Sequence, residues 1–254
     1  MIPSGHRAPF WRAATRVLGT GSLAAAVVLA GTVATTGDDR GAASAAPMTV
    51  ATQATTTPLA ADALATIPVA PKGRFLSSAR TRFGKAWADV DGNRCSTRED
   101  VLRRDLRDVV MKRGSACGIA TGTLVDPYGG AAMRFGPDAA SKKQVEVDHV
   151  VSLSDAWRSG ASAWTPQQRL AFANDPLELV ATSRTLNQSA TGKGGKDAAG
   201  WLPPNAGYRC SYVARQVAVK AAYHLTMTQA EKDVSAAVLA GCPGQRLPLA
   251  SDRA

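Results

Sequence analysis

The chain is poor in histidine. It holds three in 254 residues, His6, His149 and His224, together with four cysteines, none of them in a C-x-x-C pair. Zinc ribbons need paired cysteines, and imidazole-rich zinc sites need more histidines than this, so both are all but excluded. H-E-x-x-H, G-x-S-x-G and the P-loop lysine motif are also missing. That removes the metalloprotease, serine-hydrolase and P-loop phosphotransfer readings. The first seventy residues contain one Phe and one Trp and are rich in Ala, Thr, Gly and Ser. No internal repeat is present. Beyond the N-terminal region no apolar run is long enough to cross a bilayer.

The N-terminus has the layout of an export signal. Arg7, Arg12 and Arg16 precede an uncharged run from Val17 to Gly37, and "AASAAP" offers A-x-A cleavage sites near Ala45 or Ala46. We expect a signal peptide over residues 1–45 and a secreted product; the alternative is a membrane anchor formed by residues 17–37. Residues 46–72, rich in Ala, Thr and Pro and nearly uncharged, read as a linker. A folded domain is expected over residues 73–242, enough chain for a real core, with a flexible tail over 243–254. All four cysteines, Cys95, Cys117, Cys210 and Cys242, fall in that domain. An oxidising compartment makes two disulfides the natural use of an even count. Of three possible pairings we favour Cys95–Cys117 and Cys210–Cys242, each closing one local helical segment.

Charge gives a first functional hint. The chain carries a net +10, and residues 73–242 hold 23 Lys and Arg against 16 Asp and Glu. A basic exported domain can meet nucleic acid, anionic wall polymer or membrane surface, and the same charge also serves simple solubility.

Periodicity predicts a helix over "CSTREDVLRRDLRDVVMKRG", capped by Thr97 and ended by Gly114. A hairpin follows in "GIATGTLVDPYGGAAMRFGP", with turn signals at Asp126-Pro127 and Gly129-Gly130. "QVEVDHVVSL" and "PLELVATS" read as apolar strands. Between them "TPQQRLAFAND" is a short helix with Thr165 and Gln168 as a capping box and Pro166 at its first position. "SRTLNQSA" starts a helix that breaks at Gly192. Two helices close the domain, "CSYVARQVAVKAAYHL" and "TQAEKDVSAAVLAGC", the second with Thr228 and Glu231 as a capping pair.

The chemistry concentrates at Asp148-His149, a polar pair inside a run of valines. Adjacent strand residues point to opposite faces. The pair can share one site only if the strand bends or ends there while a second element folds across. The helix after "PLELVATS" brings Asn187, a second oxygen donor. Oxygen ligands suit Mg²⁺, Mn²⁺ or Ca²⁺, and a histidine beside such an ion can take a proton from water. The plainer reading is a structural histidine bonded to a backbone carbonyl.

At these residues the chain resembles the HNH, or ββα-metal, endonucleases. More closely it is similar to secreted bacterial HNH-family proteins that share a domain with the C-terminal part of GmrSD-type restriction enzymes. The likeness runs from about Phe83 to Cys242 through "AWADVDGNRCSTREDVLRRDL", "TGTLVDPYGG", "VDHVVSLSDAWRSGASAWT", "FANDPLELVATSRTLNQS", "WLPPN" and "YRCSYVARQVAVKAAYHL". It implies an α+β fold, a ββα-metal core embedded in a mostly helical domain. It implies a metal-dependent endonuclease acting on DNA, with RNA as a further candidate, through phosphate contacts and as a monomer. Asp148 and Asn187 match the metal ligands, with Mg²⁺ the expected ion and Mn²⁺ the alternative. His149 matches the general base, and Asn174 the middle asparagine that ties loop to strand. Lys193 and Lys196 match lysines near the phosphate backbone. The sequence departs from the family at Ser152, where relatives commonly have Pro, and in the longer "NQSATGKGGKDAAGWLP" segment. A non-catalytic basic envelope module, gripping extracellular nucleic acid or wall polymer, is the competing expectation.

Overall fold

A computed structural model describes residues 57–138 and 144–252. The expected export signal, its anchor alternative and the first part of the linker lie outside those residues. No helix among the described residues is long and apolar enough to cross a membrane.

The fold is α+β. Helix α1 spans Ala60–Thr66 and a 3₁₀ turn spans Ala79–Phe83; α2 is Thr97–Asp105. Strands β1 (Arg107–Met111), β2 (Ile119–Val125) and β3 (Ala132–Phe135) form one antiparallel sheet. Strand β4 (Val145–His149) pairs antiparallel with β5 (Leu179–Ser183) in a second. Between those two come α3 (Leu153–Arg158) and α4 (Pro166–Ala173); after them come α5 (Arg184–Gln188), α6 (Arg209–Ala222) and α7 (Gln229–Ala240).

The β4–β5 ribbon lies between two apolar clusters, which is why every residue of β5 is buried. Val145, Val147, Leu179 and Ala181 join Val101, Leu102 and Leu106 of the α2 region and Leu124 and Phe135 of the first sheet. Val180, with Val150 just past β4, joins Tyr212, Val213 and Val217 of α6. A third cluster, around Phe83, Leu153, Phe172 and Val219, supports the strand exit. Both expected disulfides are present, Cys95–Cys117 and Cys210–Cys242, with Cα–Cα separations of 5.4 and 6.5 Å.

Two sequence expectations about α2 need correction. The helix predicted through Gly114 stops at Asp105, and Leu106 turns extended (φ −75°, ψ 149°). Asp105 is diverted: its carboxylate binds Arg104 and accepts a hydrogen bond from the Ala181 amide at 2.8 Å. The β-branched Val109 and Val110 then serve strand β1, where such side chains fit better than in a helix. The cap is Ser96, in a reciprocal box with Glu99, not Thr97.

The described part of the linker, residues 57–72, is folded. Ala60, Leu64 and Ile67 are buried in the α6–α7 cluster. The segment is too poor in large apolar residues for a core of its own, but Leu64 and Ile67, with Ala60 one turn earlier, suffice to complete another. Ala60 N–H donates to Gln245 O at 2.8 Å and Leu247 N–H to Pro58 O at 3.0 Å, so the N-terminal segment and the tail zip together. The tail is accordingly held as far as Asp252: Arg104 binds the Ala250 carbonyl and Arg215 the Asp252 carbonyl, each at 3.0 Å.

A Leu64→Ala variant should therefore lose about 2–5 kcal/mol of stability, read as a drop in the denaturant midpoint. An unchanged midpoint would place α1 outside the cooperative unit.

Candidate active site

Strand β4 has no ladder partner other than β5 among the described residues. A cavity of about 610 Å³ runs along its free edge. Because the cavity lies at the edge, residues from both faces of β4 reach it: Glu146 and Asp148 from one, His149 from the other. The strand need not end early for Asp148 and His149 to share a site. Asn187 enters from α5, which follows β5 directly. The two strands and this helix form the ββα unit.

Asp148 is 6% exposed and Lys193 wholly buried. Lys193 Nζ lies 3.0 Å from Asp148 Oδ2 and 3.3 Å from Oδ1, and donates to the His149 carbonyl at 2.6 Å. The Tyr128 hydroxyl donates to Asp148 Oδ2 at 2.7 Å. Burial and the Asp148 charge push that phenol well above its usual range, so it remains a neutral donor. Tyr128 is placed by the turn before it. Asp126 accepts from the Tyr128 and Gly129 amides and, across to β5, from Thr182 Oγ1 at 2.7 Å and the Ser183 amide.

Lys193 arrives on the lengthened loop after α5. Its amide donates to Leu186 O at 2.8 Å, and that of Gly194 to Asn187 O at 2.7 Å. Gly192 makes the approach possible, because a Cβ there would stand 2.5 Å from the Leu186 carbonyl oxygen. The phosphate contact expected of Lys193 does not fit this inward placement. Lys196 is also turned to its own loop, donating to Ala190 O and Gly192 O at 3.2 and 2.6 Å.

His149 Nε2 lies 3.0 Å from Ala173 O. A carbonyl can only accept, so Nε2 carries the proton and Nδ1 keeps the lone pair. Trp87 lies nearly parallel to the imidazole, 6.1 Å between centroids. Desolvation lowers the imidazole pKa to about 3, so the ring is neutral at physiological pH. The expected structural bond to a carbonyl is present, and it leaves the other nitrogen available for chemistry.

Asn174 does not line the cavity. It is fully buried at the end of α4, accepting from the Ala88 amide and donating to Leu170 O, both at 2.9 Å. It thus fixes the chain beside Ala173, which holds His149, and the loop that carries Trp87.

Asn187 donates its amide to Glu146 Oε2 at 3.3 Å, and Arg184 lies 3.4 Å from Glu146 Oε1. Among the described residues, that orientation leaves Asn187 Oδ1 without a hydrogen bond. Asp148 Oδ1, Asn187 Oδ1 and the Glu146 carboxylate are hard oxygen donors around one cavity, a set that fits a divalent cation such as Mg²⁺. Arg80, Arg98 and Arg184 also line the cavity. Sequence reasoning missed all three, and Glu146 and Tyr128 as well. The period of two in "VEVDH" could have revealed Glu146, which shares a face with Asp148. Arg80 and Arg98 come from distant segments and leave no local signal.

Two stability effects follow. Lys193→Met strands Asp148 as a buried, unpaired carboxylate and should cost about 3–5 kcal/mol in chemical denaturation, whereas the double variant Asp148→Leu/Lys193→Met should lose less. The folded-state pKa of His149, about 3, lies below its ordinary 6.5. As pH falls, the unfolded chain therefore takes up that proton first. The stabilisation is complete above pH 6.5 and drains away toward about pH 3. His149→Gln should lose less stability than the parent across that window, and parallel curves would refute the assignment.

Residues 96–237 match the family model described as GmrSD restriction endonucleases, C-terminal domain. An "Uncharacterized secreted protein" from Arthroderma benhamiae is 37% identical over 181 residues, covering 70% of this chain and 82% of that protein. That relative is fungal, whereas the motifs resemble bacterial proteins. No solved structure matches the chain. Like that relative, and in keeping with its two disulfides, the protein is secreted. With more than half its length inside the family model and a relative matched over most of both chains, it belongs to the nuclease-related family of GmrSD restriction endonuclease C-terminal domains.

Proposed function

We propose that the protein is a metal-dependent endonuclease that hydrolyses phosphodiester bonds in DNA, with RNA as a second substrate. The observation that carries this reading is the convergence of Asp148, His149 and Asn187 on one cavity lined by three arginines. Mere binding of a polyanion needs arginines; it does not need a neutral imidazole whose free nitrogen shares a cavity with two oxygen donors.

Asp148 and Asn187 would hold the ion, Mg²⁺ or Mn²⁺, with Glu146 beside them. When bound, such an ion stabilises charge on the scissile phosphate and the leaving oxygen. His149 Nδ1 takes a proton from water as the water oxygen bonds to phosphorus and the bond to the leaving oxygen breaks; solvent protonates the leaving group. Ala173 O holds the imidazole in the one tautomer that can do this. Arg80, Arg98 and Arg184, not the two lysines, take the phosphate contacts, so binding weakens as salt rises.

One observation favours a non-catalytic binding module instead. Lys193 and Tyr128 already satisfy Asp148 without any ion.

Plasmid cleavage separates the two. The purified protein should nick supercoiled DNA with Mg²⁺ or Mn²⁺ and stop with EDTA. His149→Ala should lose about 10²–10⁴-fold in rate while keeping its circular dichroism spectrum and a cooperative melt. Undiminished cleavage by that variant would remove His149 as the base. Absence of cleavage in the parent with any divalent ion, alongside salt-sensitive DNA binding, would favour the binding module.

A further inference from the structure

A second cavity, of about 500 Å³, lies between α6 and the C-terminal strap and shares no lining residue with the first. Its walls include Tyr208, Ser211 and Arg215 on one side and Gln245, Arg246 and Asp252 on the other.

Two buried groups there lack the partners their chemistry calls for. Arg215 is 2% exposed, yet it forms no ion pair among the described residues. Among the described residues its guanidinium is held by the carbonyls of Leu177 (3.3 Å) and Asp252 (3.0 Å). The Tyr208 hydroxyl is buried without any hydrogen-bond partner among the described residues. Buried cations are ordinarily paired and buried hydroxyls ordinarily bonded. Burial pushes the Tyr208 phenol up to about 12, so it is a neutral donor at physiological pH. The one carboxylate in the lining, that of Asp252, is turned to the Leu249 amide, which donates to it at 2.6 Å.

A neutral ligand could satisfy the hydroxyl but would leave the charge uncompensated. An oxyanion answers both. Arg215 and Arg246 bring two positive charges to one space, with the Tyr208 and Ser211 hydroxyls beside them; two charges match a doubly charged phosphate better than a singly charged carboxylate. We infer that this cavity is a phosphate-binding site, taking inorganic phosphate or the phosphate end of a nucleotide. Arg215 and Arg246 supply the charge; Tyr208 and Ser211 fix the oxygens. The inference stands apart from the nuclease reading, since no residue is shared with that cavity.

Thermal unfolding of the purified protein with sodium phosphate, with a nucleoside 5′-monophosphate, and with sodium chloride at matched ionic strength tests it. Either phosphate compound should raise the melting temperature saturably beyond the chloride control. Stabilisation by both assigns the free oxyanion as sufficient; stabilisation by the monophosphate alone assigns the nucleotide end. Tyr208→Phe removes only the hydroxyl and should weaken phosphate binding about tenfold, with Ser211→Ala acting in the same direction and Arg113→Ala, which lines neither cavity, leaving it intact. No saturable stabilisation by either compound overturns the site. So does full binding in both Tyr208→Phe and Ser211→Ala, or a loss confined to Arg98→Ala, which would place the anion in the first cavity.

Discussion

Lys193 and Asp148 are both buried charges, and neither could be buried at β4 without the other. Desolvating one ion alone costs several kcal/mol; an opposite charge at 3.0 Å with further hydrogen bonds offsets it. The surrounding chain is arranged to satisfy that condition. Gly192 lets the loop after α5 close on the helix end and deliver the ammonium. Asp126 pins the hairpin turn to β5 and delivers the Tyr128 hydroxyl. Lys193 also binds the His149 carbonyl, so one side chain fixes the aspartate and the histidine's backbone together. Such a pair adds little net stability over well-packed apolar groups. Its effect is to hold a carboxylate at one position in an apolar interior, where geometry matters more than energy.

The free edge of β4 does the rest. Inside a sheet, consecutive side chains are separated by the sheet itself. At an edge, a cavity can collect both, and here it collects Asp148 and His149. The edge also leaves room for α5 to bring Asn187 across from β5. An exposed edge is ordinarily a liability for aggregation. Lining it with Glu146 and three arginines keeps it polar and charged, so the features that suit a phosphate also discourage a stray strand.

Much of this was legible in the residues because the signals are local. The apolar strands, the Thr165–Gln168 box, the Asp126-Pro127 turn and the helix bearing Asn187 each depend on a few neighbours. What misled was tertiary. "CSTREDVLRRDLRDVVMKRG" has helical periodicity throughout, but Asp105 bonds Ala181 seventy-six residues away, and the helix stops. The lysines after Asn187 look exposed in a Gly-rich loop, and only the buried aspartate explains why Lys193 turns in. The arginines of the cavity come from the 3₁₀ turn, α2 and α5, and only the fold assembles them. Residues 57–72 failed as a core by composition, yet they pack because α6 and α7 leave a groove that Leu64 and Ile67 complete.

That N-terminal segment also has an electrostatic anchor. Lys72 pairs with Asp155, and with Asp197 and Glu231 at 3.1 and 3.4 Å, while Lys220 pairs with Asp155 and Glu231. Two cations and three carboxylates thus join the segment to α3, α6, α7 and the loop that follows Lys193. Burial, and then the neighbouring Lys220, lower the Lys72 pKa. The three carboxylates alone would make a candidate cation site; the two lysines already supply that charge. Asp155 lies on α3, whose first residue, Leu153, lines the cavity along β4. Asp197 lies four residues past Lys193. The network therefore holds both chains that leave the site, the exit of β4 through α3 and the loop carrying Lys193, against the same pair of helices. Tension on either would have to break buried ion pairs before it could move Asp148. The Asp148–Lys193 contact thus stays fixed although one partner lies on a strand and the other on a glycine-rich loop.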